Sequence, residues 1–266
     1  MKTKLISLSI FILLFLSSLF LGKLYFSICM SFFAVLSLRE ILYIRPKDRR
    51  VPGEIELLSY LLVIFFVMNN YNANYDFYLI DYRLIASLIL VDLIPLVIVE
   101  NKKKYNLANA LYLMSSTMFI GIVFNLIVQF RSYNINYVTY IFLIAFFTDM
   151  FALITGKLIG THKFMEHISP KKTLEGAIGG LIMGTIVPTL FFASVIDSVI
   201  PMYAVFIVTL LLSSLGQVGD LVFSCIKREF GKKDFSNVIV GNGGILDIID
   251  SVIFITLGFI LVISIV

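Results

Sequence analysis

Long apolar segments constrain the fold of this chain more than any other feature. Nine of them recur along the 266 residues, and each approaches the ~20 apolar residues that a helix needs to cross a bilayer. They lie near Leu5–Leu21, Leu24–Leu38, Ile55–Met68, Leu84–Val99, Leu107–Phe130, Ile135–Thr155, Leu174–Ile196, Met202–Phe223 and Ile245–Val266. Lipid offers the backbone no hydrogen-bond partners, which favours helices for such segments. The sequence therefore predicts an all-α polytopic membrane protein with about nine transmembrane helices, forming a single integral-membrane domain over residues 1–266.

The composition excludes an ordinary soluble domain. Hydrophobic residues make up 59% of the chain and charged residues 14%, and the mean hydropathy is +0.99, far above the usual values for soluble domains. Cys29 and Cys225 lie in separate segments without partner spacing, so the sequence predicts neither a disulfide scaffold nor a thiolate metal site. His162 and His167 share one loop, and we interpret them as solvated loop residues.

The distribution of positive charge predicts an orientation. Of the 21 Lys and Arg residues, 18 lie at the N-terminus or in the second, fourth, sixth and eighth loops, and only Lys23, Arg83 and Arg131 remain for the other side. The positive-inside rule places the N-terminus and the charged loops in the cytoplasm, in a cell (inner) membrane, and the C-terminus outside. Topology alone explains this bias, but the same cations also lie where anionic lipid headgroups or nucleotide phosphates would meet them.

One polar stretch, Ser224–Asp250, interrupts the apolar pattern and carries the residues best suited to chemistry. It contains four cations, then a glycine-rich turn, then two acids: Lys227, Arg228, Lys232, Lys233, Gly241–Gly244, Asp247 and Asp250. Glycines let backbone N–H groups approach phosphate oxygens, and a helix start adds its positive dipole end. Asp247 and Asp250 are three residues apart on a predicted helix, so they share a face that suits a hard cation. The pattern predicts a phosphate-and-metal site; an ordinary solvated loop is the alternative.

Acidic residues inside the other apolar segments are further candidates, because a carboxylate in lipid is costly and usually functional. Asp149 lies in the sixth segment and Asp220 at the end of the eighth, both toward the predicted cytoplasmic face. Asp92 lies near the middle of the fourth segment beside Pro95. We interpret Asp92 as a hydrogen-bond partner of a neighbouring helix.

The sixth loop carries a second motif, Ser169–Gly176, which reads SPKKTLEG. Ser169 can cap the coming helix and Pro170 suits its first turn. Lys172 and Thr173 offer donors where a phosphate would bind at the helix start.

Small residues at helical spacing in the seventh and eighth segments predict close helix packing. They are Gly176, Gly179, Gly180 and Gly184 in the seventh segment and Ser213, Gly216 and Gly219 in the eighth.

Together these stretches resemble the signatures of the CTP-dependent phosphatidate cytidylyltransferases, or CDP-diacylglycerol synthases. The polar stretch is similar to S, one residue, an apolar residue, K-R, four residues, K-D, and later P-G-H-G-G, two residues, D-R, one residue, D. Ser169–Gly176 resembles the S-P-x-K-T-x-E-G box of the same family, and Asp149 resembles the acid that precedes that box. The family-like catalytic half covers about residues 147–250. Val240, Asn242 and Ile248 stand where the family has Pro, His and Arg.

The resemblance implies that a cytidylyl group passes from CTP to phosphatidate, giving CDP-diacylglycerol and pyrophosphate for phospholipid biosynthesis. It implies Asp220 and Asp247 as ligands of Mg²⁺, with Asp149 and Asp250 as supporting acids and Lys172 as a further catalytic residue. The implied substrate-binding residues are Ser169, Lys171, Thr173, Ser224, Lys227, Arg228, Lys233, Asp234, Asn242, Gly243 and Gly244.

The implied partners are CTP, phosphatidate or a related anionic lipid, and the membrane, with no nucleic acid. A second cation and a homodimer stay open. The departures at Asn242 and Ile248 remove donors from a phosphate-rich site, which predicts weakened phosphate binding or an altered lipid substrate.

Other functions remain open from the sequence. A CTP-dependent kinase of a polyprenol or another lipid alcohol would need a base, for which Asp149 or Asp250 would serve. An ion-coupled transporter would also use intramembrane acids, but these acids gather toward one face and no internal repeat is evident. A catalytically inactive relative is the third alternative.

Overall fold

A computed structural model describes residues 2–69, 82–99, 105–196, 200–239, 241 and 243–263, with the side chains of 2–8 and 10–12 left aside. All nine predicted apolar segments contain helix within this part of the chain. The helices are α1 (Lys2–Leu21), α2 (Lys23–Ile44), α3 (Gly53–Met68), α4 (Tyr82–Leu93), α5 (Pro95–Ile98), α6 (Leu107–Tyr133), α7 (Ile135–Leu158), α8 (Leu174–Phe191), α9 (Met202–Glu229) and α10 (Leu246–Ile263). A 3₁₀ turn at Lys47–Arg49 follows α2, and a π-helical turn at Phe192–Ile196 continues α8.

Six of the described helices are long and apolar enough to cross a membrane: α2, α6, α7, α8 with its π-helical turn, α9 and α10. This confirms a polytopic, all-helical membrane protein. The α3 helix has 16 residues and α4 has 12, and α4 ends just before Pro95, whose ring nitrogen has no proton to donate. The total of nine transmembrane helices stays a prediction.

The chain divides into two compact units. The first unit comprises Met1–Tyr133 and Asp234–Ile248, and the second comprises Asn134–Lys233 and Ile249–Val266. The prediction of a single integral-membrane domain stays a prediction.

In the first unit, α6 packs against α2, α3 and α4. Phe66, Leu84 and Leu88 form a buried apolar cluster there. Tyr112 on α6 donates its hydroxyl proton to the Ile41 carbonyl oxygen on α2, at 2.8 Å. Both apolar burial and a cross-helix hydrogen bond therefore stabilise this unit.

Asp92 is fully buried in the first unit. Its side chain accepts from the Ser59 hydroxyl on α3 at 3.4 Å, and its backbone carbonyl oxygen accepts from the Tyr105 hydroxyl at 2.6 Å. These contacts confirm the interpretation of Asp92 as a partner of a neighbouring helix.

In the second unit, α7 packs along α8 and α9. A methyl group added at Gly176 would lie 2.7 Å from the Ala152 carbonyl oxygen, so α7 and α8 approach closely only because this side chain is absent. The Thr148 and Ser213 hydroxyl oxygens lie 2.7 Å apart and link α7 to α9. The predicted close packing through small residues is confirmed, and it brings the polar ends of these helices together.

Candidate active site

A cavity of about 600 Å³ opens in the second unit, between the ends of α7, α8 and α9. Polar and charged residues from α7, from α9 and from the loop before α8 line it: Asp149, Lys157, Ser169, Lys171, Lys172, Thr173, Gln217 and Asp220. Leu153, Phe164 and Leu221 supply apolar wall. The cavity therefore combines charges suited to phosphate groups with a surface suited to hydrocarbon.

Asp220 and Lys172 form an ion pair in the wall of this cavity. Both side chains are partly exposed, at 27% and 31% respectively, so the pair stays accessible to a ligand. The Ser224 hydroxyl, one turn further along α9, donates to the other carboxylate oxygen of Asp220 at 3.4 Å. Three residues that the sequence assigns to the site are thus brought together.

Asp149 on α7 is tied to α10 through a residue that the sequence did not single out. The Ser251 hydroxyl donates to an Asp149 carboxylate oxygen at 3.1 Å. The neighbouring Asp250 is buried, accepts from the Ser251 N–H at 2.8 Å, and interacts electrostatically with Asp149 and Asp220. Three of the predicted acids therefore interact with one another in this unit.

The residue that caps the N-terminus of α8 differs from the one predicted. The predicted cap at Ser169 is wrong, because α8 begins at Leu174 and the Thr173 hydroxyl accepts from the Gly176 N–H at 3.2 Å. The Thr173 backbone is extended and forms an isolated β-bridge with Lys163, and the Lys172 N–H closes a separate turn by donating to the Ser169 carbonyl oxygen at 3.2 Å.

Pro170 accordingly lies in a turn ahead of the helix and not in its first turn. Its carbonyl oxygen accepts from the Lys163 ammonium at 2.9 Å. This turn leaves Ser169, Lys171 and Lys172 on the cavity wall.

Two cationic side chains at the C-terminal end of α9 interact with other groups of the protein. Arg228 donates to the carbonyl oxygens of Ile168, at 3.4 Å, and Lys232, at 2.9 Å, which ties the α9 terminus to the loop before α8. Lys227 is buried and interacts electrostatically with Asp250. Lys233 is exposed in the second unit, and Asp234 is exposed in the first.

The glycine-rich turn belongs to the first unit, where Asp247 organises it. An Asp247 carboxylate oxygen accepts from the backbone N–H groups of Gly244 at 2.8 Å and Phe235 at 2.9 Å. Gly243 has a φ of +88°, which a residue with a side chain rarely adopts. Asn242 lies outside the described residues. The Gly244 N–H is therefore held by the loop's own carboxylate.

Within the described part of the chain, no three His, Cys, Asp or Glu side chains are arranged to hold a metal ion by themselves. Mg²⁺ usually takes one or two carboxylates from the protein and completes its shell with water and substrate phosphates, so it does not need a group of three. Asp220 and Asp247 belong to different units, and their sharing of one ion stays a prediction.

Three polar residues near the predicted site were not identified from the sequence as site residues: Ser251, Gln217 and Glu40. The Gln217 amide donates to the Ala177 carbonyl oxygen at 2.8 Å and links α9 to α8 beside the cavity. Glu40 is buried on α2 and contacts the glycine-rich turn. Its signal in the sequence was an acid at the end of an apolar segment, the same signal that identified Asp220.

Comparison with known proteins shows the family of this chain. The family model described as the cytidylyltransferase family matches residues 2–266. Phosphatidate cytidylyltransferase of Staphylococcus saprophyticus is 35% identical over 257 residues, with 96% of each chain covered. The proteins of the same name from Staphylococcus haemolyticus and Staphylococcus epidermidis are 35% and 32% identical, again with 96% of each chain covered. The match to the family model and the similarity to these relatives both extend over nearly the whole chain, so this chain belongs to the cytidylyltransferase family.

Proposed function

We propose that this protein is a phosphatidate cytidylyltransferase, which transfers the cytidylyl group of CTP to phosphatidate. The observation that carries the proposal is the cavity of the second unit, where the Lys172–Asp220 ion pair lies among further cations and apolar wall. The activity named for the relatives that cover 96% of the chain supports it. The products are CDP-diacylglycerol and pyrophosphate.

The reaction does not need a strong general base. A phosphate oxygen of phosphatidate attacks the α-phosphorus of CTP, a new P–O bond forms, and the bond from the α-phosphorus to the bridging oxygen breaks as pyrophosphate leaves. Because the attacking phosphate is already anionic near neutral pH, catalysis falls mainly to positioning and to neutralising charge. A site of Asp and Lys side chains, as in this cavity, suits that task.

We assign roles to the residues on the cavity wall. Lys172, held in place by Asp220, provides a fixed positive charge for the phosphate chain. The Thr173 hydroxyl uses a lone pair to cap α8 and keeps its proton for a phosphate oxygen. Ser169 and Lys171 add donors on the same wall.

The proposed set of substrate-binding residues also includes the cations at the end of α9 and the glycine-rich turn. Lys227, Arg228 and Lys233 supply further charge for phosphate. The remaining members are Ser224, Asp234, Asn242, Gly243 and Gly244.

The cofactor that fits this donor set is Mg²⁺. Carboxylate oxygens are the ligands it prefers, and the carboxyl groups of Asp149, Asp220 and Asp250 interact electrostatically. We propose Asp220 and Asp247 as its ligands, with Asp149 and Asp250 in support. When bound, the ion would neutralise charge on the CTP phosphates.

The orientation that we propose follows from the charge distribution. The N-terminus and the loops that carry 18 of the 21 Lys and Arg residues face the cytoplasm, where CTP is available. With nine spans the C-terminus lies outside.

Product analysis tests the activity. The full chain, purified in detergent, is incubated with Mg²⁺, phosphatidate and CTP labelled at the α-phosphorus. We expect the label in a CDP-lipid, together with one pyrophosphate per turnover. Release of labelled CDP with a lipid alcohol as acceptor would instead identify a CTP-dependent kinase, and no CTP-dependent product with either acceptor would remove the enzymatic proposal.

A further inference from the structure

Glu40 on α2 binds the glycine-rich turn at the head of α10. This carboxylate is only 3% exposed. One of its oxygens accepts from the Ile245 N–H at 2.9 Å and from the Ser236 hydroxyl at 2.7 Å, and the other accepts from the Leu246 N–H at 2.9 Å. A single side chain therefore satisfies three donors of a segment that lies about 200 positions away in the sequence.

These contacts form a cap for α10 that comes from another helix. The first N–H groups of a helix have no partner within that helix, and a carboxylate near them also interacts favourably with the helix dipole. Leu246 is the first residue of α10 and Ile245 precedes it. Glu40 thus supplies in three dimensions what an N-terminal capping residue usually supplies from the adjacent sequence.

The glycine at position 244 is explained by this contact. A methyl group built on Gly244 would overlap the Glu40 carboxylate, with both oxygens among the atoms that it would meet. The Gly244 N–H is at the same time held by Asp247, at 2.8 Å. Glu40 and Asp247 therefore enclose the Gly244 backbone, and the close approach of Glu40 requires a residue without a side chain.

This arrangement commits the N–H groups of Gly244, Ile245 and Leu246 to carboxylates of the protein. They are the groups that a bare helix start would offer to a phosphate. In this protein the hydrogen bonds of these N–H groups fix the backbone on either side of Gly244. They also fix the position of Asp247, a proposed metal ligand.

We propose that Glu40 is a positioning residue for nucleotide binding: it fixes the turn Gly243–Asp247, and so the place of the Asp247 carboxylate, through the head of α10. Glu40 does not contact the reacting atoms in this assignment. The inference rests on the proposed function, because CTP with Mg²⁺ is taken as the ligand whose binding depends on this turn.

The test uses Glu40→Gln in the full chain. An amide replaces one acceptor oxygen with an NH₂ donor, so at least one N–H at the head of α10 loses its acceptor. We expect KM for CTP to rise about tenfold, the factor that corresponds to one lost charge-assisted hydrogen bond, with a smaller change in kcat. We also expect the rise in Tm that CTP with Mg²⁺ produces in the wild type to shrink.

Met30→Ala is the matched control for a purely structural effect. Met30 is buried on the same helix, ten residues before Glu40 and therefore about 15 Å away along the axis. We expect it to lower Tm while leaving KM for CTP unchanged. If Glu40→Gln lowers Tm and leaves KM unchanged in the same way, Glu40 is structural only and the inference is overturned.

A double-mutant cycle tests the contact itself. Gly244→Ala should lower kcat/KM strongly in the wild-type background and much less in a Glu40→Ala background, because the smaller side chain leaves room for the methyl group. An equal loss in both backgrounds would overturn the inference. If Glu40→Gln does not fold, Ser236→Ala removes one of the three donors and should raise KM in the same direction.

These outcomes separate the two proposals. A wild type that forms no CDP-lipid contradicts the proposed function. An active wild type whose CTP dependence is insensitive to Glu40→Gln contradicts the role of Glu40 alone.

Discussion

The ammonium group of Lys172, at the end of the loop before α8, forms an ion pair with the carboxylate of Asp220 on α9. The two residues are 48 positions apart in the sequence, and the close packing of α7, α8 and α9 brings them to one cavity wall. Because both side chains remain partly exposed, a phosphate group can reach the lysine and a metal ion can reach the carboxylate.

Removing either partner of this pair should affect catalysis differently. We expect Lys172→Met to raise KM for CTP by about 10- to 100-fold, since a charge-assisted hydrogen bond to phosphate is lost. Asp220→Asn should abolish Mg²⁺-dependent turnover. Steady-state kinetics with CTP and Mg²⁺ titrations measure both, and Lys47→Met, an exposed change in the first unit, is the control. Wild-type activity in Asp220→Asn would exclude this acid as an essential ligand.

Ser251 should matter through Asp149. Ser251→Ala removes the hydroxyl that donates to the Asp149 carboxylate, so we expect kcat to fall about tenfold. Ser214→Ala is the matched control, because the Ser214 hydroxyl donates to the Leu211 carbonyl oxygen of its own helix. Ser251→Thr keeps the hydroxyl and should recover part of the rate. Equal kcat in the Ser251→Ala and Ser214→Ala variants would contradict a role for Ser251.

The cap of α8 predicts a loss of stability. Thr173→Ala removes the acceptor of the Gly176 N–H, which should lower the free energy of unfolding by about 1 kcal/mol and Tm by roughly 2 to 4 °C. Thr173→Ser keeps the oxygen and should stay close to the wild type. Thermal unfolding in detergent measures both variants, and a Tm for Thr173→Ala equal to that of Thr173→Ser would argue against the cap.

The charge distribution predicts opposite sides for two fusion points. Reporter domains placed after Lys104 and after Val266 should report the cytoplasm and the outside, respectively, because nine spans separate the two faces in this way. The measurement is the activity of a reporter that works on one side only. Finding both fusions on the same side would exclude the nine-span topology.

The departures from the family pattern predict a gain of activity. Asn242 keeps an amide donor where the family has His, whereas Ile248 keeps none where the family has Arg. Replacing both, as Asn242→His with Ile248→Arg, should raise activity on phosphatidate by more than about tenfold, the factor that about 1.4 kcal/mol corresponds to. Kinetics with phosphatidate check it, and an unchanged or lower rate would indicate that this chain has adapted to its own residues.

The helices and the family could be predicted from the sequence because both depend on local pattern. Apolar runs such as Leu107–Phe130 have one favourable conformation in lipid, and α6 follows that run closely. The match to the family model confirms the family prediction, which rested on two motifs. Even the candidate acids Asp149 and Asp220 were visible, because a carboxylate in an apolar segment is rare.

Tertiary structure alone decided which partners these residues have. Thr173, and not Ser169, caps α8, and the extended Thr173 backbone pairs with Lys163 in an isolated β-bridge. Glu40 reaches the head of α10 although about 200 residues separate them. Hydropathy and motif spacing report only which conformation a segment prefers, whereas such contacts depend on how helices distant in the sequence pack, and that is why the sequence by itself determined the elements but not the hydrogen bonds that position the site.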